Sequence, residues 1–461
     1  MKLAFGASMH IMSQRSTLFK IAKDVTRECY TEQVESIQHW LQAKGYLQSR
    51  MIKSTSNFDV VPPYFALHLL RCVGPSATYD ERATFVTFLK HFLLTSLFTG
   101  EAEASERGQV MMQLAKASRA SFLNTINNHK DGKALAEKIG LGKGFLSLHR
   151  TSDFAIHAFK EGQLFGEACH IVSYNQACEL EPRIANLPIN NNLEAVHRVD
   201  DFTANSALYI QDHIDKIKER GVDYKCGNVG KIDDISQVEV VNRQLASVSK
   251  QRQPRLKVTT SDGLTHDFDY IVLAAGVNTP LIARKLGIAK NCPTYPLRGY
   301  SLTIYTNHVN SESGNLLNMP FSVDDMYCSS VSPNMARIAG FGELVGYRDK
   351  AINVPSLAPM IMARYAKSLF PESNASKNAL QCFRPCSPDD LPIVGEVRTS
   401  PGVFMHTGHG TLGWTISHAT SECLAQAMYD RIKGNESRRT YYNLSDGIQV
   451  DANRLSPNRF L

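Results

Sequence analysis

Two hydrophobic periodicities divide the chain. Residues 16–50 and 80–140 repeat their apolar positions at helical spacing, whereas residues 235–260 and 295–345 alternate apolar and polar positions as half-buried strands do. Between the alternating regions, residues 269–276 form a short continuous apolar run that ends in small residues. Such a run is typical of a strand buried on both faces in a parallel sheet. The chain is therefore expected to combine parallel α/β elements with antiparallel strands.

Capping and turn residues predict further elements. Helices are predicted at 152–161, 174–180, 205–221, 278–286, 356–369 and 415–428. Short strands are predicted at 145–148 and 223–226, and Ser-Asp-Gly at 261–263 marks a turn between antiparallel strands. This arrangement favours an α/β domain built from discontinuous pieces, with a mostly antiparallel β domain inserted between them.

Composition and charge exclude several classes of protein. The 461 residues are 43% hydrophobic and 20% charged, which is typical of a globular chain and not of a disordered or fibrous one. The formal net charge of +6 is spread without a basic block, so we expect no nucleic-acid partner. The ten cysteines include no CxxC pair, which predicts reduced thiols in an intracellular protein and neither a metal site nor a disulfide framework.

Two segments bear on membranes and targeting. Residues 85–98 contain Lys90 and His91 and fall short of the roughly 20 apolar residues that a membrane span needs. Their spacing indicates an amphipathic helix that faces the core, and the alternative is a helix that makes a peripheral membrane contact. The first 23 residues are basic and carry no acid, which fits a mitochondrial transit peptide as well as an ordinary basic N-terminus. The expected location is thus mitochondrial or cytoplasmic.

The strongest candidate for chemistry is a glycine-rich turn late in the chain. An apolar strand at 402–407 leads into a loop with glycine at 408, 410 and 413, and a helix follows from about 415. Glycines let a backbone approach a flat ligand closely, and the N–H groups of a helix start favour negative charge. The turn is therefore a candidate nucleotide-cofactor site, with a tight turn that binds no ligand as the alternative.

A proline-rich loop precedes this turn. It runs from Arg384 to Pro392, and its three prolines stiffen the backbone. A guanidinium on a stiff loop is suited to bidentate binding of a carboxylate, which makes Arg384 a candidate substrate anchor. The alternative is an internal ion pair of Arg384 with Asp389 or Asp390.

Several motifs, in matching order and spacing, resemble one family. They are Tyr-Pro-Leu-Arg-Gly-Tyr-Ser-Leu-Thr-Ile at 295–304, Arg-Ile-Ala-Gly at 337–340 with Glu343, the loop 384–395, and Thr-Gly-His-Gly-Thr-Leu-Gly-Trp at 407–414. From about residue 144 to the end, the chain resembles the FAD-dependent oxidoreductases of the D-amino-acid oxidase superfamily, and in particular its D-amino-acid dehydrogenase small-subunit type. The resemblance implies an α/β fold, in which a discontinuous Rossmann-like FAD-binding domain carries an inserted, mostly antiparallel β substrate domain.

The implied fold divides the chain into segments. Residues 1–65 are expected to be a divergent or truncated N-terminal part of the FAD-binding domain, and 66–143 a helical segment. FAD-binding and mixed elements are expected at 144–235, 265–292 and 380–440. The substrate domain is expected at 236–264 and 293–379, and a C-terminal tail at 441–461.

The resemblance also implies an activity, which is the oxidation of a D-amino acid by hydride transfer from its α-carbon to N5 of FAD. The resulting imino acid is hydrolysed to a keto acid and ammonia, and the electron acceptor is left undefined. No residue is expected to act as a general base, because the transfer needs only a neutral amine. The alternatives are a sarcosine- or glycine-oxidase-like amine oxidase and a catalytically silent relative.

Site residues follow from the same resemblance. Arg384 would bind the substrate carboxylate, and Tyr300 and Arg298 would lie at the substrate pocket, although an aromatic on an alternating strand is also typical of a core. The residues expected to contact FAD are Ala275, Gly276, Gly408, His409, Gly410, Thr411 and Leu412.

One expected motif is missing from the sequence. The family opens with a strand, Gly-x-Gly-x-x-Gly and a helix that binds the pyrophosphate, whereas Gly6 is the single glycine before Gly45 here. Either this part is truncated or mis-spliced and FAD binding is impaired, or it is divergent and binds FAD through other backbone groups. The loss of charge-assisted hydrogen bonds of about 1.5–3 kcal/mol each favours impaired binding.

Overall fold

The helical and alternating segments of the sequence form ten helices and seventeen strands among the described residues of the computed structural model of the protein. The structure describes residues 72–73, 77–98, 101–128, 131–164, 166–187, 193–222, 235–240, 256–260, 265–306, 316–323, 326–344, 346–347, 358–375, 380–434 and 439–461. The helices are α1 (Tyr79–Phe98), α2 (Glu101–Asn128), α3 (Gly132–Lys138), α4 (Ser152–Leu164), α5 (Tyr174–Leu180), α6 (Ser206–Glu219), α7 (Thr279–Lys285), α8 (Ala358–Leu369), α9 (Gly413–Ile432) and α10 (Ala452–Leu455).

Short strands make up most of the remaining regular structure. They are β1 (Gly142–His149), β2 (Cys169–Ser173), β3 (Glu194–Thr203), β4 (Ile235–Val240), β5 (Leu256–Thr260), β6 (Thr265–Phe268), β7 (Ile271–Leu273), β8 (Tyr295–Tyr305), β9 (Phe321–Val323), β10 (Met326–Ser332), β11 (Met335–Glu343), β12 (Asn374–Ala375), β13 (Leu380–Cys386), β14 (Ile393–Glu396), β15 (Val403–Thr407), β16 (Tyr441–Asn443) and β17 (Gln449–Asp451).

These elements belong to two compact units, each described by itself below. The first unit contains the described residues of 72–76, 131–206 and 297–383, and the second contains those of 77–130, 207–296 and 384–461. Each unit is therefore assembled from segments that are distant in sequence.

A nine-stranded sheet organises the first unit. Its strand order is β12-β8-β11-β10-β9-β1-β3-β2, and β13 also pairs with β8. The pairing of β1 with β9 is parallel, whereas β8, β10 and β11 are joined by antiparallel pairs. Alternate residues of β8 enter the core, where Tyr300, Leu302 and Ile304 are at most 2% exposed. Helix α8 and the α5 region complete this core with Ile361 and Ala177 among others.

A smaller sheet, β14-β15-β7, lies in the second unit. Strand β7 pairs in parallel with β15, with Val403 opposite Ile271, and β14 pairs antiparallel with the other edge of β15. The apolar side chains of these strands pack with those of α7, so that Leu273, Ile282 and Met405 share one core. Helix α9 continues from the end of β15 and packs against α2.

The predicted helices agree with the structure in position. Helices α4, α5, α6, α7, α8 and α9 lie within a few residues of their predicted bounds. The predicted strand at 223–226 lies outside the described residues. The expectation that 269–276 is a strand buried on both faces is wrong, because β7 covers only Ile271–Leu273 and Val272 is 37% exposed. Strand β7 is therefore packed on one face only.

The segment 85–98 lies in α1, which begins at Tyr79. Phe85 and Phe88 are buried, and their rings pack on Tyr295 at centroid distances of 5.0 and 5.7 Å. Leu93 and Leu94 are 44% and 43% exposed. Within the described part of the chain, no helix is both long and apolar enough to cross a membrane.

The structure groups one region differently from the sequence. Residues 144–235 were expected to contribute FAD-binding and mixed elements together with 265–292 and 380–440. The main-chain hydrogen bonds of β1 run to β3 and β9, which places β1 and β3 in the nine-stranded sheet of the first unit. The domain boundaries themselves stay a prediction.

Candidate cofactor and substrate sites

The glycine-rich turn of the second unit connects β15 to α9. A 3-10 turn at Gly410–Leu412 follows the strand, and Gly408 and Gly410 have φ values of +76° and +53°. A Cβ atom on Gly408 would lie 3.2 Å from Ile393 Cγ1 and 3.4 Å from Ser387 Cβ. Glycine is therefore required at 408 by the backbone conformation and by the close approach of the neighbouring β14 and proline-rich loop.

Gly276 lies beside this turn, at the end of β7. Its carbonyl oxygen accepts a hydrogen bond of 3.2 Å from Thr407 Oγ1, which joins the ends of β7 and β15. Gly276 has a φ of +56°, and a Cβ atom built on it meets nothing within 4 Å. Ala275 is exposed. Bare backbone therefore faces open space at the carboxyl end of a parallel strand pair, where open α/β sheets bind their ligands.

The start of α9 provides hydrogen-bond donors at the same turn. Leu412 precedes the helix without a side-chain cap, and the first turn carries no acidic residue. The leading N–H groups and the dipole of this 20-residue helix therefore favour an anion or a partial negative charge. Trp414 anchors the helix start, since its ring packs edge-on against Phe122 and Tyr209 at 6.1 and 5.4 Å.

His409, between the two glycines of the turn, is neutral at physiological pH. Burial lowers its pKa to about 3, and the nearby ring of His406 adds to the effect. Its Nε2 lies 3.1 Å from Thr420 Oγ1. A side chain with this pKa and this partner is suited to holding the loop and not to accepting a proton.

Backbone contacts join the Arg384 loop to the turn. Cys386 and His409 form an isolated antiparallel bridge, and Ser387 Oγ donates to the Gly408 carbonyl at 3.4 Å. Arg384 is half-buried at the last part of β13. The structure therefore brings Arg384, Gly276 and residues 408–412 together in the second unit.

Asp389, one of the two alternative partners of Arg384, is held by Arg459. The guanidinium donates to both carboxylate oxygens, with Nε to Oδ2 at 2.7 Å and Nη2 to Oδ1 at 3.0 Å. Arg459 also donates to the carbonyls of Leu391 and Pro392 at 2.8 and 3.2 Å. These bonds make the proline-rich loop a fixed element of the second unit.

Arg298 and Tyr300 meet in the first unit, at one carboxylate. Arg298 donates to Glu343 Oε2 through Nη2 at 2.7 Å and through Nε at 3.2 Å, and the Tyr300 hydroxyl donates to the same oxygen at 2.6 Å. Arg298 and Tyr300 are 2% and 1% exposed. Three donors on one oxygen form a strong, charge-assisted cluster that is largely shielded from water, since the Glu343 side chain is 13% exposed.

A backbone irregularity places Glu343 in this cluster. Glu343 lies opposite Arg298, and the register of β11 against β8 shifts between Gly340 and Glu343. At this bulge Phe341 has a φ of +60°, in the left-handed region that L-residues avoid at a cost of about 1–2 kcal/mol. The core packing of Phe341 and the ion pair of Glu343 offset this strain.

Sequence reasoning missed four residues of these sites. Glu343 was quoted only as part of a motif, and its role as the shared acceptor of Arg298 and Tyr300 was not predicted. Arg459, His406 and Thr420 were not singled out. The His-x-x-His spacing at 406–409 is a signal that could have pointed to His406.

Comparison with known proteins defines the family of this protein. The DAO family of FAD dependent oxidoreductases matches residues 95–427, which is more than half of the chain. The protein therefore belongs to the DAO family, whose members are FAD-dependent oxidoreductases.

Individual relatives are similar to this chain over part of their length. A D-amino acid dehydrogenase of Sinorhizobium medicae is 32% identical over 177 residues, which cover 38% of this chain and 40% of the relative. One of Vibrio vulnificus is 27% identical over 326 residues, which cover 68% of this chain and 70% of the relative. A solved structure of glycine oxidase from Geobacillus kaustophilus shares the fold at a TM-score of 0.52 and 20% identity, covering 70% of this chain and 79% of that one. The family match and this shared fold confirm the predicted fold class.

The described residues fit FAD, the cofactor of this family. Gly276 offers the backbone surface that a Cβ atom would fill, and the uncapped start of α9 offers N–H donors for an electron-rich ring edge. Residues 1–71, which contain the N-terminal segment without the Gly-x-Gly-x-x-Gly motif, lie outside the described residues.

Proposed function

We propose that the protein oxidises D-amino acids as an FAD-dependent dehydrogenase. The observation that carries the proposal is the backbone bridge between Cys386 and His409, which holds the loop of Arg384 against the glycine turn at the start of α9. A carboxylate anchor thus lies in the same unit as the candidate cofactor contacts. Relatives named D-amino acid dehydrogenase support the choice of substrate class.

Each part of this arrangement has a chemical task. Arg384 binds the substrate carboxylate through paired N–H donors, which orients the α-carbon. When bound, FAD supplies the two-electron acceptor for the hydride of that carbon. The N–H groups at the start of α9 stabilise negative charge at the turn. His409 does not take up a proton, so the substrate amine enters in its neutral form and the product imino acid is hydrolysed by water.

Arg298 and Tyr300 stay candidates for the substrate pocket. Because both donate to Glu343, neither is proposed as a second carboxylate anchor. In this proposal the charge of Arg298 is already balanced within the first unit. Arg384 would then provide a positive charge that recognises the substrate.

Purified protein tests the proposal directly. The protein is incubated with FAD, the bound flavin is measured by its visible absorbance, and matched D- and L-amino acids are offered with dichlorophenolindophenol under nitrogen. Dye reduction by D-amino acids, with little by their L-enantiomers and little peroxide formed in air, is the expected result. Equal rates for both enantiomers, or turnover of neither, would contradict it.

The same assay separates the two alternatives. Turnover of glycine or sarcosine with stoichiometric peroxide in air would identify an amine oxidase. Protein that stays colourless after incubation with excess FAD would identify a catalytically silent relative. Measurable but weak binding of FAD would support the expectation from the sequence that the pyrophosphate site is impaired.

A further inference from the structure

Two histidine rings converge on one threonine hydroxyl in the second unit. His406 on β15 and His409 in the glycine turn place their Nε2 atoms 3.0 and 3.1 Å from Thr420 Oγ1 on α9. The two rings lie edge to face with centroids 4.7 Å apart. Thr420 is fully buried. The hydroxyl therefore connects three successive elements, which are the strand, the turn and the helix.

The contacts of Thr420 Oγ1 decide which ring nitrogens of His406 and His409 carry protons. Thr420 Oγ1 also lies 3.1 Å from the carbonyl oxygens of Ile416 and Ser417, which can only accept. A threonine hydroxyl has one proton and two lone pairs. With its proton donated to these carbonyls, the hydroxyl accepts from both rings, and each Nε2 must carry a hydrogen.

The same surroundings keep both rings uncharged. Burial lowers the pKa of His406 to about 4, and burial together with His406 lowers the pKa of His409 to about 3. A second charge on neighbouring rings would also be repelled at this distance. The unprotonated nitrogen of each ring is then Nδ1.

We infer that Thr420 fixes His406 and His409 as neutral Nε2–H tautomers and is thereby a positioning residue for the turn at 408–412. Thr420 restrains the turn from both sides, through His406 on the strand and His409 within the loop. Burial keeps both rings neutral, so the start of α9 contributes electrostatic stabilisation at the turn without a competing imidazolium. The link to FAD rests on the proposed function, whereas the tautomers do not.

Ring nitrogen resonances test the tautomers without any ligand. The protein, which has 15 histidines, is labelled with ¹⁵N in its histidine rings, and His406→Asn and His409→Asn identify the two signals by their disappearance. Both rings are expected as Nε2–H at pH 7.5 and still neutral at pH 6. An Nδ1–H tautomer, or a cationic ring at pH 7.5, would overturn the inference.

Substitution of Thr420 tests its role. Thr420→Val removes the acceptor of both Nε2–H groups, so both rings should lose their fixed tautomer, while Thr420→Ser should keep the wild-type signals. The dissociation constant for FAD should rise about two- to tenfold in Thr420→Val, because the turn loses a restraint on each side. Unchanged ring signals in Thr420→Val would overturn the inference.

The two proposals fail separately. Wild-type protein that binds no FAD but shows Nε2–H signals would contradict the proposed function and support the assignment of Thr420. Wild-type protein that binds FAD but shows Nδ1–H signals would contradict the assignment of Thr420 and leave the proposed function standing. If Thr420→Val does not fold, the wild-type tautomers and the Thr420→Ser spectrum still decide the question.

Discussion

Replacing Tyr300 with phenylalanine removes one oxygen atom from the buried cluster of Arg298, Tyr300 and Glu343. The ring stays the same size, so the core around β8 loses no packing. The lost group is the hydroxyl that donates to Glu343 Oε2 at 2.6 Å. The substitution therefore isolates a single charge-assisted hydrogen bond.

The structure sets the expected magnitude. A hydrogen bond to a charged group contributes about 1.5–3 kcal/mol, and both partners here are largely shielded from water, so Tyr300→Phe should lower the free energy of unfolding by about 2 kcal/mol. Glu343→Gln should cost more, about 3–5 kcal/mol, because it removes the negative charge that faces the buried guanidinium of Arg298. The double variant should cost less than the sum, since both changes weaken the same charge-assisted bond.

Urea unfolding followed by far-ultraviolet circular dichroism measures these changes. Tyr305→Phe is the matched control, because Tyr305 lies on the same strand and is 52% exposed, and it should change the free energy of unfolding by less than about 0.5 kcal/mol. A loss of less than about 0.5 kcal/mol in Tyr300→Phe, or additive effects in the double variant, would refute the reasoning. A strong rise in KM with an unchanged free energy of unfolding would instead indicate that the Tyr300 hydroxyl contacts the substrate.

Four further predictions concern the sites, the pH response and the membrane. Arg384→Ala should raise KM for amino acids at least tenfold with unchanged flavin content, whereas the exposed Arg398→Ala should change neither; equal effects would remove Arg384 as the anchor. Gly276→Ala and Gly287→Ala should each lose about 1–2 kcal/mol, because both glycines have positive φ, but only Gly276→Ala should weaken FAD binding in a fluorescence titration. Because the folded-state pKa values of His406 and His409 lie below their ordinary value, the unfolded state takes up more protons. The free energy of unfolding should therefore fall as the pH drops from about 6.5 toward about 4, and His406→Asn should flatten that fall in urea titrations. Finally, α1 exposes Leu93 and Leu94 beside Lys90, so we expect sedimentation with vesicles rich in phosphatidylglycerol. That binding should be lost in Leu93→Ser/Leu94→Ser and kept in Ile432→Ser, a change at another exposed apolar residue; no sedimentation of the wild type would contradict it.

Local patterns were sufficient to predict helices α4 to α9, but not α10 at Ala452–Leu455, which lies in the segment expected to be a C-terminal tail. Pro280 at the start of α7 and Gly287 after its end are start and stop signals that a short window of sequence contains. The same holds for the glycines that precede α9. The mitochondrial or cytoplasmic location depends on residues 1–23, which lie outside the described residues, and stays a prediction.

Contacts between distant segments could not be predicted in the same way. The partner of Arg298 depends on the bulge at Phe341, where the positive φ falls on an aromatic residue. The glycines at 340 and 342 indicate an irregular strand, but they do not indicate which side chain the bulge directs toward Arg298. The bond between Arg459 and Asp389 joins residues 70 positions apart. The membership of β1 in the large sheet depends on β9, a strand of three residues with no pattern of its own.

The parallel pair of β7 and β15 also constrains the order of folding. Ile271 and Val403 are partners across 132 positions of sequence (403 − 271), so the loop that their contact closes is among the most costly in entropy. The hairpin of β10 and β11 closes a turn of two residues and can form early. We expect the edge that carries Gly276 and the turn at 408–412 to be completed late. A nascent chain would then be unable to retain its cofactor until the C-terminal residues have been synthesised.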